Sequence, residues 1–180
     1  MKNIEAVNKL RAMIAQKQNP VCQCPGVYCW WFKQDVALEL LKAFPEFDRD
    51  KLQSRQIDGE TYLALYFGIS KNLKERIEWH VSQQHTPSAV KSGYLSTLRQ
   101  TLSAVLRKDM SKSESSVNRF MDTNCYWEWE CTDSENEAKD REKKELTQSI
   151  YCYPLNIQGN KTISGECLKA LKELRKKHNK

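Results

Sequence analysis

The sequence predicts an α+β fold with a small, mainly antiparallel, three-stranded central sheet flanked by helices. Three segments have the Val, Tyr, Trp and Phe content typical of strands, and they are residues 26–32, 61–70 and 125–131. Apolar residues recur at helical spacing before, between and after them. Sequential strands with helices on the outside suggest an α+β sandwich.

The helices are predicted in chain order from periodicity and from start and stop signals. Ser70 is expected to cap the helix after the second strand, and Leu73, Ile77 and Val81 are expected to face the core. Residues 82–94 are expected to form a loop. The remaining helices are predicted at 3–17, 34–44, 95–107, 117–121, 134–150 and 164–177.

Length and composition favour one globular domain over residues 1–180. The chain has 180 residues, of which 39% are apolar and 29% charged, so it can bury a sizeable core. No stretch approaches the roughly 20 apolar residues of a membrane span, and the N-terminus resembles an amphipathic helix rather than a secretory signal. We therefore expect a soluble, cytoplasmic protein with no membrane partner.

Charge and cysteine content add two weaker expectations. The net charge of +6 leans towards polyanions, and the basic helix at 164–177 is equally consistent with a solvated helix end and with a phosphate-contacting arm. The seven cysteines are expected to be reduced and mostly buried. Cys22, Cys24 and Cys29 could contact zinc, but no CxxC pair or nearby His completes a four-ligand set, so zinc is not predicted.

Two tripeptides and their spacing carry the most specific signal. Gly26-Val27-Tyr28 opens the first predicted strand, and Tyr66-Phe67-Gly68 lies near the end of the second. The second tripeptide continues into Asn72-Leu73, then Arg76 ten positions after Tyr66, and His80 four positions later. This arrangement resembles the GIY-YIG nuclease family and its YxGxxxNLxxRxxxH pattern, with Phe in place of the family's Ile.

The resemblance extends in blocks over a core of about residues 24–160. It implies a third strand, a helix with one metal-binding glutamate, and then a Pro and an Asn, here Pro154 and Asn156. Glu142 has the better upstream match, whereas Glu145 has the better distance to Pro154, so both stay candidates for the metal ligand. Residues 33–60 look like an insertion that adds a helix between strands 1 and 2.

The resemblance also implies the roles of the site residues. Tyr28 would be the general base with Tyr66 beside it, Arg76 would bind the scissile phosphate, and His80 would support the phosphate or the tyrosine. A carboxylate on a rigid helix can hold one Mg²⁺ or Mn²⁺, and an Arg and a cation nearby are expected to lower the pKa of a tyrosine. Asn156 would hold the architecture of the site or the backbone near it.

The implied activity is a metal-dependent endonuclease acting on DNA. Lys71, Lys74 and Arg99 are expected to extend a basic surface that contacts the phosphate backbone. Two alternatives stay open, namely a non-catalytic nucleic-acid-binding module of the same fold and a protein-interaction domain in which the tyrosines only pack in the core. Monomer and homodimer both remain open.

Overall fold

The fold is described here from a computed structural model, which describes residues 1, 3–45 and 48–180. Within these residues a five-stranded sheet packs against eight α-helices. The strands are β1 (Asn3–Ala6), β2 (Gly26–Lys33), β3 (Ser54–Ile57), β4 (Glu60–Ser70) and β5 (Cys125–Cys131). The helices are α1 (Val7–Ala15), α2 (Gln34–Leu41), α3 (Leu73–Ser82), α4 (Pro87–Lys91), α5 (Thr97–Val105), α6 (Glu114–Asn124), α7 (Glu135–Gln148) and α8 (Gly165–His178).

The sheet is antiparallel throughout and runs in the order β1-β5-β2-β4-β3. The three predicted strands form its centre, with β2 paired to β4 on one side and to β5 on the other. The α+β class is confirmed. The prediction of three strands is wrong, because two short strands add an edge on each side of the described sheet.

The first additional strand, β1, replaces the beginning of the helix expected at 3–17. Asn3 pairs with Trp129 and Ala6 with Tyr126, so β1 covers the free edge of β5. The helix begins only at Val7. Backbone pairing along an open strand edge satisfies donors and acceptors that would otherwise stay unpaired, and here it outweighs the helical spacing of the side chains.

The second additional strand, β3, lies inside the predicted insertion at 33–60. This segment contains α2 and β3, while residues 46 and 47 lie outside the described residues, as does residue 2. β3 has the sequence SRQI and is half-exposed or exposed along its whole length. Such an edge strand lacks the apolar residues by which a strand is recognised in a sequence.

Three other predictions need correction in detail. Asn72, not Ser70, caps α3, with its Oδ1 accepting from the backbone N–H of Glu75 at 3.3 Å. The loop expected at 82–94 contains the short helix α4, which is capped by Thr86. The helix expected at 117–121 extends over the whole of α6.

Both faces of the sheet are buried. Tyr28, Trp30 and Phe32 on β2 point into a core cluster that includes side chains from α1, α3, α5 and α6. The alternate residues Val27, Cys29 and Trp31 point into a second cluster that includes Ala138 and Leu146 of α7. Because both faces are covered, β2 is apolar along nearly its whole length rather than alternating.

The expectation of reduced cysteines does not hold throughout the chain. Cys24, just before β2, forms a disulfide with Cys131 at the end of β5. Four of the remaining cysteines are buried and free, namely Cys29, Cys125, Cys152 and Cys167. Among the described helices, none combines the length and the apolar character that crossing a bilayer requires.

Candidate active site

Tyr28 and Tyr66 lie side by side on the sheet. Tyr28 is on β2 and Tyr66 on β4, and their ring centroids are 6.4 Å apart with the planes inclined by 21°. Both side chains are buried, with 2% of Tyr28 and 9% of Tyr66 exposed. The antiparallel pairing of β2 and β4 thus brings together two tyrosines that are 38 positions apart in the sequence.

Gly68 provides the space for the Tyr28 ring. It lies directly opposite Tyr28 in the pairing of β2 and β4. A Cβ atom at position 68 would be 2.6 Å from both Cζ and the hydroxyl oxygen of Tyr28. A side chain at position 68 would therefore clash with the Tyr28 ring. The glycine of the second tripeptide is thus needed to make room for the tyrosine of the first.

His80 contacts Tyr28 from α3. Its Nε2 lies 3.3 Å from the Tyr28 hydroxyl, and the two rings meet edge to face. His80 is 1% exposed, and its Nδ1 has no hydrogen-bond partner among the described residues. The contact places an imidazole at hydrogen-bonding distance from the oxygen that is predicted to act as the base.

Arg76 lies one turn before His80 on α3. Its guanidinium carbon is 5.0 Å from the centroid of the Trp79 ring, an arrangement that restrains an otherwise mobile side chain. The charge of Arg76 lowers the pKa of Tyr28, of Tyr66 and of Glu142, although it is not the largest influence on any of them. Arg76 is thus within electrostatic reach of all three groups.

The protonation of the two tyrosines differs from the expectation. Burial raises the pKa of Tyr28 well above 10, and it raises the pKa of Tyr66 to about 12, because the opposing charge of Arg76 is the smaller effect. The charge of Arg76 alone therefore does not lower the pKa of either tyrosine below 10, and the predicted lowering also requires the cation. Burial also lowers the pKa of His80 well below 6.5, with Arg76 and Arg99 acting in the same direction, so His80 is neutral at neutral pH.

The two candidate carboxylates lie on different sides of α7. Glu142 lines a cavity of about 490 Å³ together with Tyr66 and Asn156. Glu145 lines a separate cavity and accepts a hydrogen bond from the Tyr153 hydroxyl at 2.9 Å. Burial raises the pKa of Glu142, against the opposing effect of Arg76. The geometry favours Glu142 as the carboxylate of this site.

The surroundings of Glu142 suit a single hard cation. A carboxylate oxygen is a preferred ligand of Mg²⁺ and Mn²⁺, and Mg²⁺ commonly keeps several water ligands when one or two carboxylates hold it. The cavity beside Glu142 has room for such waters. In the described residues, no group of three or more His, Cys, Asp or Glu ligands forms around Glu142, so an ion there would have no more than two such ligands and would keep several waters.

Asn156 contacts the backbone of β4. Its Oδ1 accepts from the N–H of Phe67 at 2.8 Å, and its Nδ2 donates to the Phe67 carbonyl at 2.7 Å. Asn156 is 5% exposed. The side chain thereby fixes the strand segment next to Tyr66, which agrees with the positioning role that the resemblance implies.

The predicted basic surface needs one correction. Lys71 is exposed and Lys74 is half-buried at the beginning of α3, so both can reach a bound anion. Arg99 has no exposed surface and donates to His80 O, to His85 Nε2 and to Asn118 Oδ1. Arg99 is therefore a buried support for the end of α3 and not part of a nucleic-acid-binding surface.

Other cations near the cavity were not identified from the sequence. Lys139, Lys143 and Lys161 line the cavity with Glu142. Arg175 on α8 is half-buried, and its charge lowers the pKa of Tyr66 as one of the smaller influences on that group. The only signal for Arg175 was the excess of basic residues in the last helix, which did not distinguish it from its neighbours.

One of three comparisons with known proteins gives a match. No curated protein and no solved structure gives a significant match to the chain. The family model described as GIY-YIG catalytic domain matches residues 26–177, which include β2, β4, α3, α7 and every residue considered above for the site. The match covers far more than half of the chain, and the protein therefore belongs to the GIY-YIG catalytic domain family.

Proposed function

We propose that this protein is a divalent-metal-dependent endonuclease that hydrolyses phosphodiester bonds in DNA. The observation that carries the proposal is one connected cluster of side chains from two strands and two helices. Tyr66 and Glu142 line the same cavity, Tyr28 packs beside Tyr66 and contacts His80, and the charge of Arg76 reaches both tyrosines and Glu142. Family membership supports a nuclease-type activity. The residue roles, the metal and the DNA substrate are our inference from the chemistry of these groups.

Tyr28 is the proposed general base. Its tyrosinate form takes a proton from the attacking water, and a neutral His80 with its proton on Nε2 donates to the tyrosinate oxygen. Because burial raises the pKa of Tyr28, this form is scarce at neutral pH unless positive charge stabilises it. Arg76 supplies part of that charge and binds the scissile phosphate through its planar guanidinium.

Glu142 is the proposed metal ligand. A Mg²⁺ or Mn²⁺ ion held there would offset the negative charge on the phosphate and lower the pKa of nearby groups. Glu142 itself orients the site from α7, while Asn156 keeps the backbone beside Tyr66 in place. Glu145 is occupied by Tyr153 and is not assigned a role.

DNA is the proposed substrate because three lysines line the cavity and further basic side chains are accessible at the beginning of α3. Lys139, Lys143 and Lys161 at the cavity, and Lys71 and Lys74 on α3 or just before it, can neutralise phosphates of a bound strand. These contacts give affinity without sequence readout. We also retain a cytoplasmic location as a proposal, because it follows only from the sequence.

A plasmid-nicking assay with Mg²⁺ tests the proposal. We expect the wild type to convert supercoiled DNA to nicked or linear DNA, and Tyr28→Phe to lower the rate by about 10²–10⁴-fold. Arg76→Ala should cost about 10²–10³-fold, as expected for loss of a group that stabilises developing charge. Glu142→Gln should inactivate the enzyme, whereas the matched change Glu145→Gln on the same helix should leave most of the activity.

Two outcomes would contradict the proposal. Absence of cleavage of DNA by the folded wild type, with either Mg²⁺ or Mn²⁺, would favour a non-catalytic module. Loss of activity in Glu145→Gln but not in Glu142→Gln would refute the assignment of the metal ligand while leaving the nuclease activity itself intact.

A further inference from the structure

Three cysteine sulfurs meet at one point on the surface, away from the cavity of Glu142. Cys22 and Cys24 lie in the segment before β2, and Cys131 is the last residue of β5. The Cys22 sulfur is 2.6 Å from that of Cys24 and 2.8 Å from that of Cys131, and all three sulfurs lie within 4.8 Å of one another. Cys22 and Cys131 are exposed, so solvent can reach the cluster.

A disulfide alone does not account for this arrangement. The bond between Cys24 and Cys131 uses two sulfurs, yet the third approaches both of them closely. Cysteine thiolates are preferred zinc ligands, and three protein ligands can hold zinc when water takes the fourth position. Here two segments of the chain supply the three sulfurs. Tetrahedral Zn–S bonds of about 2.3 Å would set the sulfurs about 3.8 Å apart, a spread that small side-chain rotations can provide.

The backbone around the cluster is already fixed. The N–H of Leu73 donates to Cys24 O at 2.9 Å, and the N–H of Lys74 donates to Cys22 O at 3.1 Å. The N–H of Thr132 donates to Pro25 O at 2.9 Å. The three cysteines are therefore held by hydrogen bonds between the beginning of β2, the end of β5 and the first turn of α3, and an ion would find its ligands arranged in advance.

The geometry points to a zinc site formed by the thiolates of Cys22, Cys24 and Cys131 in the reduced protein, with the fourth coordination position open to solvent. A dithiol reductant converts the Cys24–Cys131 disulfide to two thiols and is itself oxidised to a disulfide. Zn²⁺ then replaces the three thiol protons, which pass to the buffer. The site is distinct from the proposed Mg²⁺ site, because thiolates select soft or borderline ions over hard ones.

The position of the cluster suggests what the ion does. It would join the segment that leads into β2, the strand that carries Tyr28, to the end of β5. The first turn of α3 is hydrogen-bonded to the same segment through the N–H groups of Leu73 and Lys74. Close packing at this joint is evident at Gly26, where a Cβ atom would lie 2.3 Å from Glu130 O and 2.6 Å from Leu73 Cδ1. The ion would thus act as a structural clamp. This inference does not depend on the nuclease activity.

The test measures metal binding by the full-length protein. The chain is reduced with a dithiol, freed of reductant under anaerobic conditions, and titrated with Zn²⁺ or with Co²⁺, whose thiolate complexes absorb in the near ultraviolet. We expect one ion per chain, retained in excess Mg²⁺, and a higher melting temperature with zinc bound. Cys22→Ser, Cys24→Ser and Cys131→Ser should each weaken binding by more than the roughly 10–100-fold that loss of a second-shell partner costs.

Cys167→Ser is the matched control, because this cysteine lies on α8 and contacts Pro45 O instead of the cluster. It should bind zinc as the wild type does. Zinc binding by Cys22→Ser at wild-type affinity would overturn the three-thiolate site, and Cys22 is exposed, so this variant should fold. Absence of stoichiometric zinc in the reduced wild type, or equal binding by the oxidised protein, would also overturn it.

Discussion

Replacing Gly68 with alanine tests whether the two signature tripeptides depend on each other. The added Cβ would lie 2.6 Å from Cζ and from the hydroxyl oxygen of Tyr28, and 3.0 Å from Cε2. These atoms belong to the ring and not to a flexible chain end. Trp127 packs against the same ring at a centroid distance of 5.6 Å, and His80 packs at the same distance, so Tyr28 has little room to retreat.

The size of the effect follows from the displacement. Restoring ordinary contact requires the Tyr28 ring to move by roughly 1 Å, and a misplacement of that size can lower a catalytic rate by about 100-fold. Overpacking a filled core typically costs about 1–3 kcal/mol of stability. At about 2–4 °C per kcal/mol for a chain of this length, Gly68→Ala should melt roughly 2–12 °C below the wild type and still be folded at 25 °C.

The assay combines nicking rates at 25 °C with thermal melting of the same preparations. Gly165→Ala is the matched control, because it makes the same chemical change in the first turn of α8, where an added Cβ meets no atom within 4 Å. The control should keep the activity of the wild type and should melt at the same temperature or slightly higher, because alanine favours a helix over glycine. A Gly68→Ala variant with wild-type rate and stability would refute the claim that Gly68 holds Tyr28 in place.

Three further predictions follow from the buried groups. Because burial raises the pKa of Tyr28, the rate of nicking should rise about tenfold per pH unit through the neutral range without a plateau, and Tyr28→Phe should abolish this rise in a pH–rate series. The pKa of His85 is lowered from 6.5 to about 4, chiefly by burial, so the unfolded chain binds the extra proton between these values. Its contribution to stability is therefore complete above pH 6.5 and is lost as the pH falls to 4. Allowing for solvent screening, this contribution amounts to about 1–3 kcal/mol. In urea unfolding, the free energy of unfolding should therefore differ less between pH 7 and pH 4.5 in His85→Gln than in the wild type. Asn156→Ala leaves the buried N–H and C=O of Phe67 unpaired and should lower the free energy of unfolding by about 2–4 kcal/mol, whereas unchanged stability in urea would contradict the positioning role.

The central strands could be predicted from the sequence, but the edge strands could not. β2, β4 and β5 are rich in aromatic and other apolar residues because they are largely buried, and their boundaries agree closely with the prediction. The residues of β1 were assigned to a helix because the apolar spacing of residues 3–17 is helical. That local pattern does not reveal that the edge of β5 is free to pair with them. Pairing between distant segments decides such edges, and local patterns do not contain that information.

The site shows the same division between local and distant information. The motif pattern supplied Tyr28, Tyr66, Arg76 and His80, and the structure places these four residues together. Arg99 was assigned to the surface because a charged residue in an amphipathic helix is usually exposed. It is buried because His85 and Asn118, which are distant in the sequence, provide acceptors for its guanidinium, as does the carbonyl of His80.

The cysteines illustrate a partner that only topology reveals. Cys22 and Cys24 were weighed for zinc together with Cys29, their near neighbour in the sequence. In the sheet, Cys29 points into the cluster beneath β2, whereas Cys131 lies opposite Gly26 in the pairing of β2 with β5. The third sulfur therefore comes from a residue 107 positions away from Cys24.

Burial, rather than residue type, sets the roles that Tyr28 and His80 can take. Burial raises the pKa of the tyrosine and lowers that of the histidine, so both groups are neutral at neutral pH and no proton passes from Tyr28 to His80 in the resting protein. A cation at Glu142 would favour the tyrosinate, but the same positive charge would further disfavour a protonated imidazole. His80 therefore suits the role of a neutral hydrogen-bond donor that stabilises the tyrosinate, and it does not suit the role of a base that removes the tyrosine proton.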